Sequence, residues 1–74
     1  MKEVRVMIRE YREASGMTQT FVAKKAGIKP SRLSALENGT YRLTADEFLK
    51  ICVKGFEITP QIFFEHQFHE TGND

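Results

Sequence analysis

His66 and His69 stand three residues apart with Glu65 and Glu70 beside them, a spacing that could clip a metal ion. Histidines in a short acidic tail are usually solvated, so no metal is expected there. Cys52, the sole cysteine, has no histidine at a convincing spacing and lies among apolar residues. That setting suits packing rather than nucleophilic work. No glycine-rich phosphate loop, paired-carboxylate arrangement or triad pattern occurs, so neither an enzyme nor a cofactor site is expected. The chemistry that remains is reversible contact. Hydroxyl, amide and cationic side chains gather between residues 18 and 42, and such groups bind phosphates and base edges.

The elements that must position them are read from Thr18 to Gly39, TQTFVAKKAGIKPSRLSALENG. Thr18 is an N-cap type, and Met17 with Val22 fits a hydrophobic staple across it. A helix is expected from about 19 to 26, with Val22, Ala23 and Ala26 on one face. Gly27 suits the left-handed turn that stops a helix. Ile28 anchors the turn, and Pro30 suits the first position of a second helix. Leu33 and Leu36 face inward, and Gly39 ends that helix. Two short helices around a tight turn form the unit that lays one helix in the DNA major groove.

Seventy-four residues allow one domain with a small core. The expected division is a domain over 1–66, with the helix-turn-helix at 19–38, and a flexible tail over 67–74. A single cysteine excludes an internal disulfide and suits a reducing, cytoplasmic setting. No run of 18 apolar residues offers a membrane span, and the opening MKEVRVMIRE lacks the apolar stretch of a signal peptide. The net charge is only +1, but it is unevenly spread. Residues 1–42 carry nine Lys/Arg against four Asp/Glu, whereas 43–74 carry two against six. One end suits phosphates and the other does not.

Along the rest of the chain, residues 3–15 predict a helix with Val4, Met7, Ile8, Tyr11 and Ala14 as its apolar stripe, closed by Gly16. Thr44 with Glu47 forms a capping box and Leu43 with Phe48 a staple. They open a fourth helix to about Lys54, with Phe48, Leu49, Cys52 and Val53 as inward candidates and Gly55 as its stop. Thr59 and Pro60 open a fifth helix. Ile62 and Phe63 are expected in the core, leaving Phe64 and Phe68 for a twofold dimer interface. The fold class expected is all-α with five helices.

This order and spacing resemble the lambda-repressor-like, Cro/XRE family of helix-turn-helix DNA-binding proteins. The likeness spans roughly residues 4–64. It rests on Arg12, Thr18-Gln19, Ala23, Gly27, Leu33, Leu36-Glu37-Asn38-Gly39 and the capped fourth helix. The resemblance implies a homodimeric transcriptional regulator, of repressor type, on a palindromic double-stranded operator. It implies that Thr18 and Gln19 head a helix lying across the DNA backbone, where Gln19 meets a phosphate. It places Lys29, Pro30, Ser31, Arg32, Ser34 and Ala35 toward the groove, with Lys29 and Arg32 able to reach guanine acceptors or phosphates. Asn38, Thr40 and Arg42 follow as phosphate contacts, while Tyr41 packs. Arg12 and Glu37 are implied as a structural pair tying the first helix to the end of the third.

A rival reading is a protein-interaction or antitoxin-like helical module that binds a protein partner. Phe21 and Pro30, which depart from the family's usual polar residues, and the acidic, phenylalanine-rich last third motivate it.

Overall fold

Threonine hydroxyls cap the start of three helices, and left-handed glycines close two helices. The computed structural model describes residues 2–65, and every structural statement below concerns those residues. Helix α1 covers Val4–Ala14, α2 Gln19–Ala26 and α3 Pro30–Asn38. Helix α4 begins at Ala45–Leu49 and continues without a break as a π-helical segment, Lys50–Phe56. Helix α5 starts at residue 60 and is described to 65. No strand occurs among the described residues.

The Thr18 hydroxyl accepts the Phe21 N–H at 3.1 Å, which caps α2. Gly27, at φ 78°, then turns the chain, and the Ile28 N–H closes back on the Ala23 carbonyl at 3.0 Å. That geometry needs a left-handed residue, which glycine supplies without a Cβ penalty. Thr44 and Glu47 close a reciprocal capping box on α4. The Thr59 hydroxyl accepts the Ile62 N–H at 3.1 Å and starts α5.

The core lies where α1, α2, α3 and the second half of α4 converge, and α5 seals it. Met7, Ile8, Val22, Ala23, Ala26, Leu33, Leu36, Ile51, Cys52, Phe56 and Phe63 are buried. Phe63 sits among rings: Phe64 at 5.3 Å, Phe48 at 5.6 Å, Tyr11 at 5.8 Å and Phe56 at 6.4 Å between centroids.

Four expectations about the core change. Gly55 does not end α4. The helix runs on to Phe56, and the left-handed reversal falls on Glu57, at φ 60°. Gly55 is instead buried against α2, where an added Cβ would lie 3.0 Å from the Val22 Cγ1 atom. It is there for close helix approach. Leu49 and Val53 are about half exposed, while Ile51 is fully buried. The inward set is Phe48, Ile51, Cys52, Gly55 and Phe56, spaced i, i+3, i+4, i+7 and i+8, so Leu49 and Val53 fall just outside the stripe. Ile62 is also half exposed, because α5 turns only Phe63 fully inward. Ala14 is exposed in the last turn of α1.

The proposed tail over 67–74, Phe68 of the expected dimer face, and the His66/His69 pair lie outside the described residues. Among the described residues, no cluster of His, Cys, Asp and Glu could hold a metal ion. None of the helices described is long and apolar enough to cross a membrane.

Candidate nucleic-acid interface

A buried carboxylate fixes the two helices of the motif to their support. Glu37, in the last turn of α3, accepts hydrogen bonds from Arg12 Nε at 2.8 Å and Arg12 Nη2 at 3.0 Å. Gln19 Nε2 of α2 donates to the same carboxylate at 2.9 Å. The third Arg12 nitrogen, Nη1, donates to the Met17 carbonyl at 2.9 Å, and Arg5 Nη1 donates to the Glu37 carbonyl at 3.0 Å. Side-chain exposure is 11% for Arg12 and 4% for Glu37, so this is an ion pair shielded from water. The Glu37 carboxylate, first by its hydrogen bonds and then by its charge, holds the Arg12 pKa above its ordinary value.

This arrangement adds a duty to Gln19. Its side-chain amide is engaged within the protein, rather than extended toward a phosphate. The backbone N–H groups of Gln19 and Thr20 remain at the head of α2, where no carbonyl of their own helix can reach them. A helix head of this kind carries the partial positive charge that favours anions.

On α3, Lys29, Pro30 and Ser31 are exposed, and Ser34 and Ala35 are partly so. Lys29 supplies no side-chain cap, and Pro30 occupies the first turn without needing one. The Asn38 Oδ1 atom accepts both the N–H of Thr40, at 2.9 Å, and the Thr40 hydroxyl. That small ring holds the chain as it leaves α3 and keeps the Asn38 amide nitrogen available. Arg42 is exposed.

Arg32 is not the free cation that its place on α3 suggested. Its Nε donates to Glu47 Oε2 at 2.7 Å and its Nη2 to Glu47 Oε1 at 3.1 Å. Its guanidinium carbon lies 4.9 Å from the centre of the Tyr41 ring. Glu47 meanwhile accepts from the Thr44 N–H at 3.2 Å and the Thr44 hydroxyl at 3.0 Å. One carboxylate therefore caps α4 and grips α3. Sequence reasoning saw Glu47 only as a cap and Tyr41 only as packing. The capping signal is local, whereas the α3–α4 contact depends on tertiary placement.

The Arg32 guanidinium, aided by the Thr44 groups and opposed by burial, lowers the Glu47 pKa from 4.5 to about 2. A carboxylate depressed in the folded state contributes stability that is full above the unfolded-state pKa and lost as pH falls through the folded one. The expected result is a urea midpoint that declines between about pH 4.5 and pH 2 more steeply in the wild type than in Glu47→Gln. Parallel pH profiles would separate Glu47 from acid unfolding. Elsewhere, burial pushes the Cys52 thiol up to about 12, so it is no nucleophile at neutral pH.

A capped helix, a glycine turn and a second helix with an exposed polar side define a helix-turn-helix protein. A helix-turn-helix family model matches residues 8–63. The wild-type restriction-modification controller protein C.Esp1396I superposes with a TM-score of 0.79 at 30% identity, over 96% of this chain and 91% of that one. A point mutant of that protein gives 0.79 at 30% identity, over 95% and 90%. A comparison with curated protein sequences gives no match. The chain belongs to the Cro/XRE-type helix-turn-helix family.

Proposed function

We propose that this protein is a sequence-specific double-stranded DNA-binding regulator of transcription that acts as a homodimer on a dyad-symmetric operator and represses by occluding a promoter. The observation that carries this reading is the exposed side of α3 locked by Glu37 to α1 and α2. A helix of that kind enters a major groove as a rigid body. The Gln19 and Thr20 backbone N–H groups, Asn38, Thr40 and Arg42 are assigned to phosphates. Lys29, Pro30, Ser31, Arg32, Ser34 and Ala35 are assigned to the groove. The likeness to a restriction-modification controller protein extends the proposal to control of restriction-modification genes.

Dimerisation draws support from apolar side chains left uncovered on the last two helices. Leu49 and Val53, four apart on α4, and Ile62 on α5 are each about half exposed. Phe64 is less available, because it packs against Phe48 and Phe63. Leu49, Val53 and Ile62 therefore join Phe64 and Phe68 as proposed interface residues. These same exposed residues, with Phe21, motivate a protein-binding module as the second reading.

Selection from a random duplex pool by the purified full chain decides between them. Enriched sites are expected to hold two half-sites related by a dyad, with centres ~34 Å apart. Their affinity should fall steeply with added salt. Enrichment without a dyad would reject the homodimer, and no duplex binding at low salt would favour the protein-binding module.

A further inference from the structure

Arg32 has five N–H donors, and the Glu47 carboxylate occupies only two of them, one on Nε and one on Nη2. Engaged along this side, the planar guanidinium keeps its other edge open. Nη1 and the second hydrogen of Nη2 point away from the carboxylate, and no acceptor among the described residues meets Nη1. The Tyr41 ring, 4.9 Å away, fixes the plane from one face. Glu47 cannot drift, because Thr44 holds the same carboxylate at the head of α4. Arg32 stands in the first turn of α3, the part of a groove-entering helix that meets base edges. An open pair of parallel N–H donors matches the O6 and N7 acceptors that guanine shows in the major groove.

We infer that Arg32 reads one guanine in each half-site and that Glu47 and Tyr41 are positioning residues that aim its free edge. The inference rests on α3 being the groove helix. The carboxylate has two separable effects. It orients the arginine, which sharpens discrimination, and it adds negative charge near DNA, which weakens contact with any sequence. Removing its charge therefore moves the two readouts in opposite directions. A role confined to holding the fold would not do so.

The test uses the full chain and its selected duplex, with each guanine replaced in turn by 7-deazaguanine, which lacks the N7 acceptor. In the wild type, one guanine per half-site should show a loss of about tenfold or more in affinity. In Glu47→Gln that penalty should fall below about threefold while random-duplex affinity holds or rises. Glutamine still completes the capping box, so the variant keeps its fold. Tyr41→Leu, at an exposed residue, supplies a second variant in which the penalty should shrink. Arg32→Ala should abolish it, because no donor then reaches the guanine. A selected duplex with no N7-dependent guanine, or an undiminished penalty in Glu47→Gln and Tyr41→Leu, would overturn the inference while leaving DNA binding intact. Absence of all duplex binding would overturn the parent reading with it.

Discussion

Arg12→Ala is expected to lower the unfolding free energy by about 3–5 kcal/mol, because it strands a shielded carboxylate. Glu37 would lose two charged donors and keep only the Gln19 amide on its side chain. The Met17 carbonyl would lose its Arg12 donor as well. A domain this small has a total stability on the order of 5 kcal/mol. The variant should therefore sit near its unfolding midpoint in plain buffer. Urea titration followed by helical circular dichroism at 25 °C measures the loss. The double replacement Arg12→Met, Glu37→Leu should recover much of it, since two apolar groups leave no buried charge unpaired. A loss under about 1 kcal/mol in the single variant would mean that water reaches Glu37 and the shielded description is wrong.

Phe63→Ala carries a comparable expected cost, about 3–5 kcal/mol, for a different reason. Phe63 is fully buried and is the largest such side chain in the core. Four aromatic neighbours would face the space it leaves. Gln61→Ala, two residues away and exposed, should cost no more than about 0.5 kcal/mol. Equal losses at the two positions would mean that α5 packs with a different face inward.

That contrast separates what a sequence makes legible from what only tertiary packing decides. Thr18, Gly27, Pro30, Gly39, Thr44 and Thr59 act within a few residues of themselves, so caps and turns were legible. The helix order, and with it the family resemblance, followed from them. Which side of a helix faces in was legible only where the apolar residues form a single narrow stripe. It failed at Leu49, Val53 and Ile62, which flank an inward stripe, because hydrophobicity alone does not separate a flanking residue from one that faces in. Gly55 was misread because a stop signal and a close helix contact call for the same residue. For the candidate site, the exposed places on α3 were legible and the state of Arg32 was not. Its partner Glu47 lies 15 residues away, and nothing in the spacing announces the pair.

The Glu37 carboxylate has a consequence for the thermodynamics of association. It joins α3 to α1 through Arg12 and to α2 through Gln19, so these helices have little independent tilt to lose. Ordering on complex formation then falls on surface side chains and on the nucleic acid, not on the polypeptide scaffold. Calorimetry of binding should accordingly carry the heat-capacity signature of docking between preformed surfaces rather than that of coupled folding.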